Sequence, residues 1–289
     1  MPSQLEVVSL NAGANHGNAV ERLFDMHGVV VEYPRPIDVL LIQELPLETG
    51  MATAMSITGR LSEKHGREYH MAAEPIYGER HPDKYSAVIS SMPQIGRGVM
   101  DFGPDKEAVQ KVELERENGE VISVANVHFE ASPTQELHRR HKARAIARAF
   151  EYEHPYSPHI IAGDFNATQY FSSLKVLEKF GYDFAHKAAN GEHPAHTYPT
   201  PLSGQELLDG GYSKPHQYYP LRGVARALKC AKLLSKEQIS AAGIMQYAID
   251  HIMYRHMSPA TAAGLVYDPD SMPKPFSDHY GIWATLQLP

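Results

Sequence analysis

The sequence predicts an α/β protein built in layers, on three observations: short apolar runs rich in Val, Ile and Tyr, amphipathic stretches lying between them, and turn residues closing both. Strands are predicted in "LEVVSL", "IDVLLI", "YSAVISS", "VISVANV", "HIIAG", "YAIDHIMY" and "GIWATLQL", each bounded by Gly, Pro, Asp or Asn. The first helix is predicted in "NAVERLFDMHG". Val20, Leu23, Phe24 and His27 recur there at helical spacing, Asn18 precedes Glu21 by three residues, and Gly28 offers a stop. A second helix is predicted from Glu48 to Lys64, ending at Gly66. The third, "SPTQELHRRHKARAIARAFE", sets Ser132 before Gln135 in capping-box spacing and carries a sparse apolar stripe of Leu137, Ile146, Ala147 and Phe150. Arg140, Arg144 and Arg148 read as its solvated face.

The chain has 289 residues, 43% of them hydrophobic and 21% charged, which suits one large globular domain spanning 1–289. Its 27 basic and 34 acidic residues leave a formal charge of -7, so no global positive field draws in nucleic acid or anionic membrane, although a local patch still can. A single cysteine, Cys230, excludes an internal disulfide framework and a cysteine-built metal site, and suggests a reducing compartment. No basic segment leading into an apolar stretch opens the sequence, and no run of eighteen apolar residues occurs; the expectation is a cytoplasmic monomer without integral membrane association or obligate protein partner.

Chemistry gathers where strands end. In "HIIAGDFNAT" a buried apolar run closes at Gly163, and Asp164 and Asn166 flank Phe165, which can point inward while its neighbours face solvent. Alone, this is either a turn capped by Asp and Asn or a catalytic loop. Asn11 follows "VVSL", Glu44 follows "LLIQ", His128 ends "VANV", Asp250 lies within "AIDHI", and Asp278 and His279 precede the last strand. Singly, each reads as a cap or a satisfied buried group; together they put one set of polar side chains at sheet rims.

In order, "SLN", "QE", "NVHFEASP", "GDFN", "IDHI" and "SDH" resemble the motifs of the endonuclease/exonuclease/phosphatase superfamily, which includes DNase I-like nucleases, apurinic-site endonucleases, neutral sphingomyelinases and inositol-polyphosphate phosphatases. The resemblance implies a four-layered αββα sandwich of two packed mixed sheets with helices outside. It also implies metal-assisted hydrolysis of a phosphate ester, with Mg²⁺ as cofactor and Mn²⁺ able to substitute. By resemblance, Glu44 is the main metal ligand, Asn11 stands beside it and Asp278 completes the site. Asp164 handles the attacking water, Asn166 donates to the phosphate, and His279, backed by Asp250, contacts it from the other side. His128, with Glu74 of "AEPIYG" as its carboxylate partner, follows the DNase I and sphingomyelinase pattern.

His196-Thr197 resembles the family's substrate-side threonine loop, and an insertion of about 200–246 follows it. There Arg222, Arg226 and Lys229 recur at near-helical spacing, either as a solvated face or as a phosphate contact, and Tyr212, Tyr218 and Tyr219 lie close to basic residues. Two positions depart from the DNase I pattern: Pro46 stands two residues after the metal glutamate, where an arginine is usual, and Ser91-Met92-Pro93 replaces a second arginine site. A nuclease acting on DNA or RNA is the leading expectation. A phosphatase or phospholipase-C-type enzyme acting on phosphoinositide, sphingomyelin or another small phosphate ester is the alternative, and a silent binding fold would require loss of one of the site residues, all of which are present. Zinc deamination is excluded because "HFE" lacks a later Pro-Cys-x-x-Cys; neither Gly-x-Ser-x-Gly nor a Walker loop occurs.

Overall fold

The computed structural model describes residues 4–13, 19–75, 84–103, 107–130, 135–194, 197, 248–266, 277 and 279–289. The first half of the chain runs β1 (Gln4–Asn11), α1 (Ala19–Glu32), β2 (Val39–Pro46), α2 (Leu47–His65), β3 (His70–Pro75), β4 (Lys84–Ser90), β5 (Gln94–Met100), β6 (Val109–Glu115) and β7 (Val121–His128). The second half runs α3 (Glu136–Glu153), β8 (His159–Asp164), α4 (Ser172–Lys179), β9 (Asp183–Phe184), α5 (Ala185–Asn190), β10 (Asp250–Arg255), β11 (Ser258–Leu265) and β12 (Ile282–Gln287).

Two six-stranded mixed sheets form, in the orders β11-β12-β1-β2-β4-β3 and β5-β6-β7-β8-β10-β9. Three apolar layers hold them. Val7, Val39, Leu41, Val124, Ile160 and Ile252 fill the space between the sheets. Leu40 and Ile42 turn outward against Leu23, Met26, Ile57 and Leu61 of α1 and α2. On the opposite face, Ala125, Val127 and Ile161 meet Ile146, Phe150, Leu174 and Leu177 of α3 and α4. The architecture is the αββα sandwich that the motifs implied.

Each sheet is centred on one parallel pair, β1 with β2 and β7 with β8, joined by a helical crossover. Each pair is flanked by antiparallel neighbours, β12 and β4 in the first sheet, β6 and β10 in the second. Asn11, Glu44, His128 and Asp164 therefore come from the carboxyl ends of four parallel strands. Asp250 opens β10, which runs antiparallel to β8, so the same rim receives it.

Three local expectations are corrected. Helix α1 runs past Gly28 to Glu32, and it buries Leu23, Met26 and Val30, whereas Val20 and Phe24 are 66% and 77% exposed. Both i, i+3 and i, i+4 neighbours satisfy a helical period, so the spacing alone did not choose the face. Leu137 of α3 is 73% exposed, and the helix buries Arg139 and Lys142 beside Ile146, Ala147 and Phe150. Its apolar stripe is sparse because cations fill two inward positions: Lys142 Nζ lies 2.6 Å from Glu130 Oε1, and Arg139 donates to the carbonyl of Glu130. Arg140, Arg144 and Arg148 are exposed, as expected. Helix α2 ends as anticipated, with Gly66 in the left-handed region at φ 61° and its N–H donating to the carbonyl of Ser62. Strands β3, β5, β6, β9 and β11 and helices α4 and α5 had no counterpart among the expected elements. The Ser132 cap lies outside the described residues.

Candidate active site

Glu44 reaches the site through a bulge. Along β2, Val39 and Leu41 face the second sheet, Leu40 and Ile42 face the helices, and the Gln43 side chain bonds to Asn126 of the second sheet. Strict alternation would then turn Glu44 under the helices and Leu45 inward; instead Leu45 packs in the helical layer. The β2/β4 register slips between Ile42 and Leu45, and Glu44, at φ 57°, is the extra residue. Asn126 supports the slip from across the interior, its Nδ2 donating to the carbonyls of Ile42 at 3.1 Å and Ala87 at 3.0 Å.

Asp164 is placed by Gly163. At φ 140° that residue lies so close to β7 that a Cβ would stand 2.0 Å from the Val127 carbonyl, so only glycine fits. Phe165 anchors the turn as expected: it is fully buried, packs edge-on against Phe129 at 5.3 Å, and donates its N–H to the Ile249 carbonyl. Asp164 Oδ1 accepts the Asn166 N–H at 2.7 Å, an Asx-type turn with Asn166 at φ 47°. The turn reading and the catalytic reading are thus the same geometry. One oxygen braces the loop while Oδ2 faces the site.

Around Oδ2 the two sheets meet. Asn11 Nδ2 lies 3.2 Å from it and 3.3 Å from Glu44 Oε1. His128 Nε2 is 3.6 Å from Asp164 Oδ2 and 3.0 Å from Glu44 Oε1, and His279 Nε2 is 3.7 Å from Asp164 Oδ2. His279 Nδ1 contacts Asp250 Oδ2 at 3.0 Å, which directs Nε2 toward Asp164. Lys84 Nζ, from the start of β4, lies 3.2 Å from Glu44 Oε2.

This burial makes the charges interdependent. Burial alone would raise the Glu44 carboxyl, but His128, Lys84 and His279 together hold it well below the usual carboxylate range. Burial alone would lower His128; Glu107 and Glu44 overcome it and hold the ring well above the ordinary histidine value. Asp164 is pushed up to about 7, by burial and by the facing Asp250, against the opposing pull of His279 and His128.

Two expectations give way here. The carboxylate beside His128 Nδ1 is Glu107, at 3.3 Å, rather than Glu74. The reason is register: Gln110 pairs with Asn126, so the residues preceding β6 lie alongside the end of β7, whereas Glu74 sits on the edge strand β3, 4.0 Å from Arg97. Thr197 is fully buried rather than turned to the substrate, and its hydroxyl accepts the N–H groups of Ile249 and Asp250 at 3.0 Å each, fixing the start of β10. Its carbonyl accepts the N–H of Tyr280, tying the His279 turn to the same point.

Asn166 holds the Phe129 carbonyl through Nδ2 at 2.7 Å. Asp278, Arg222, Arg226, Lys229 and the tyrosines of the insertion lie outside the described residues. Lys84, Glu107 and Asn126 were missed as site residues; Asn126 opens a quoted motif, whereas the other two carry no motif and become visible only through strand register.

Atoms of Asp164, Asp250 and His279 lie within 4.8 Å of one another and could hold a metal ion. His279 Nδ1 already faces Asp250, so the carboxylates of Glu44 and Asp164 are the hard oxygen donors that suit a divalent cation; Asn11, expected as a ligand, instead turns Nδ2 toward both while its Oδ1 accepts the Gly13 N–H.

A profile of the Endonuclease/Exonuclease/phosphatase family matches residues 8–279, and the chain belongs to that family. A sequence comparison with curated proteins gives no match. Among solved structures, truncated TDP2 from Caenorhabditis elegans superposes with a TM-score of 0.65 at 14% identity, covering 98% of this chain and 97% of that one. A family protein from Leptotrichia buccalis gives a TM-score of 0.67 at 12% identity over 98% of this chain and 100% of that one. TDP2 from D. rerio, complexed with single strand DNA product, gives 0.62 at 15% identity over 98% and 99%. Family and site together define a hydrolase of phosphate esters.

Proposed function

We propose that this protein is a Mg²⁺-dependent nuclease, with Mn²⁺ able to substitute, that hydrolyses phosphodiester bonds of nucleic acid. The observation that carries this reading is the convergence on Asp164 Oδ2: Asn11, His128 and His279 approach it within 3.2, 3.6 and 3.7 Å while Oδ1 is tied to the loop. Glu44 would hold the cation, which would supply neutralisation of charge on the phosphoryl oxygens, and Asn11, donating through Nδ2, would position the Glu44 and Asp164 carboxylates.

The chain's own groups divide the remaining work. Asp164 takes a proton from the attacking water, a task suited to a carboxyl near 7. The water oxygen bonds to phosphorus, and the phosphorus–oxygen bond to the leaving group breaks. His279, oriented by Asp250, gives that oxygen its proton. One strand end then carries a phosphate and the other a hydroxyl. The single-stranded DNA product bound by the D. rerio neighbour supports nucleic acid as the substrate class.

The test is a substrate panel: supercoiled plasmid, single- and double-stranded oligonucleotides, sphingomyelin, a phosphoinositide and an inositol phosphate, each with Mg²⁺. Nucleic-acid cleavage abolished by EDTA and by Asp164→Ala is expected. Turnover confined to the lipid or inositol substrates would overturn it.

A further inference from the structure

Lys84 has no role in the proposal above, yet it is built into the same carboxylate. Its side chain and that of Glu44 are each only 12% exposed, with Nζ 3.2 Å from Oε2, while Oε1 of the same carboxylate faces His128 at 3.0 Å. Lys84 pairs with Pro46 across the β2/β4 ladder, two residues beyond Glu44, so the ammonium enters from the neighbouring strand.

Among the described residues, the Glu44 carboxylate is flanked by Lys84 at 3.2 Å and His128 at 3.0 Å, and His128 in turn meets Glu107 at 3.3 Å. A divalent cation at Glu44 adds two positive charges. The ammonium beside the same carboxylate would then stand close to that ion, and two cations so near one another repel strongly in a buried setting. The ammonium is on a flexible stem and can move to another acceptor. A phosphate diester arriving at the loaded site offers unesterified oxygens and the compensating charge.

We propose that Lys84 is a substrate-binding residue of this site: its ammonium shares Glu44 with the divalent cation before substrate arrives, and binds an unesterified phosphate oxygen afterwards. Being a point charge rather than a planar fork, it reads phosphate without reading base sequence. The inference rests on the phosphoesterase reading of the site, and its test does not depend on turnover.

Wild type, Lys84→Met and Lys84→Arg are titrated by calorimetry, first with Mn²⁺ alone and then, saturated with Mn²⁺, with inorganic phosphate. Circular dichroism melts check that the variants fold. In Lys84→Met, Mn²⁺ is expected to bind several-fold tighter, because the competing ammonium is gone, and phosphate about tenfold more weakly, as for one lost charged hydrogen bond. Lys84→Arg should retain phosphate binding near the wild-type level. Unchanged phosphate affinity in a folded Lys84→Met overturns the proposal whatever happens to Mn²⁺, and so does Mn²⁺ binding that is weaker in that variant. Failure of the nuclease reading appears instead in the substrate panel, with these binding changes intact.

Discussion

Asp164 and Asp250 stand directly opposite one another in the β8/β10 ladder, and the His279 ring joins them, with Nδ1 3.0 Å from Asp250 and Nε2 3.7 Å from Asp164. Two carboxylates placed across adjacent strands repel. Here the ring between them offsets that cost and gains a fixed orientation. Asp250→Asn removes the carboxylate that orients the imidazole. Steady-state kinetics should show kcat reduced about 10²- to 10⁴-fold with KM little changed, the range for loss of a positioned acid–base group. An equal change in KM alone would mean that Asp250 serves binding.

Gly163 carries the tightest steric demand in the site. A methyl group there meets the Val127 carbonyl at 2.0 Å on a backbone at φ 140°, and the obstacle is main chain that cannot rotate away. Gly163→Ala should cost about 3–5 kcal/mol in urea denaturation, at the high end for a point substitution, and should abolish activity. A loss below about 1 kcal/mol would show that β7 and β8 can separate at little cost.

Asn126 holds the bulge from the far sheet. Asn126→Leu leaves the carbonyls of Ile42 and Ala87 and the Gln43 amide without these bonds in the interior. Each such loss costs about 1–3 kcal/mol. If the bulge is what aims Glu44, Mn²⁺ affinity should fall well beyond the loss of stability, measured at a temperature where the variant is folded. Asn126→Asp, which keeps one acceptor for Gln43 but cannot donate to either carbonyl, should resemble Asn126→Leu.

His251 gives the protein a pH dependence independent of the reaction. Burial lowers its value from 6.5 to about 4, and the ring meets the Ala167 carbonyl at 3.0 Å. Because the folded value is depressed, the unfolded chain takes up the proton first. Stability is whole above about pH 6.5 and declines as pH falls toward 4. At pH 5 the loss from this one group is about 2 kcal/mol. Asp164, raised to about 7, works in the opposite sense, favouring the fold as pH falls. Comparing His251→Gln with wild type at pH 7 and pH 5 isolates the histidine: the variant's urea midpoint should shift less, and an equal shift in both would exclude His251 as the source.

Much of the fold was legible because its evidence is local. The strands that carry the site are apolar runs closed by turn residues, and α2 announces its end at Gly66. Edge strands were not legible. β5, "QIGRGVM", alternates half-buried and exposed positions with two glycines and an arginine, and only pairing with β6 makes it a strand. The inward face of α3 was legible in part: Ile146, Ala147 and Phe150 are buried as expected, whereas Arg139 and Lys142 join them only because Glu130 meets both.

The amino-acid sequence by itself determined the family and the six motifs, and it named Asn11, Glu44, His128, Asp164, Asn166, Asp250 and His279 as candidates because each lies at or just beyond a strand end marked by its neighbours. Only the tertiary structure decided which carboxylate faces His128, that Thr197 faces inward, and that Lys84 shares Glu44. The physical reason is range. Turn and strand signals act over a few adjacent residues, whereas charge pairing depends on ladder register and on a bulge held from the opposite sheet, which join positions as distant as Glu44 and His128.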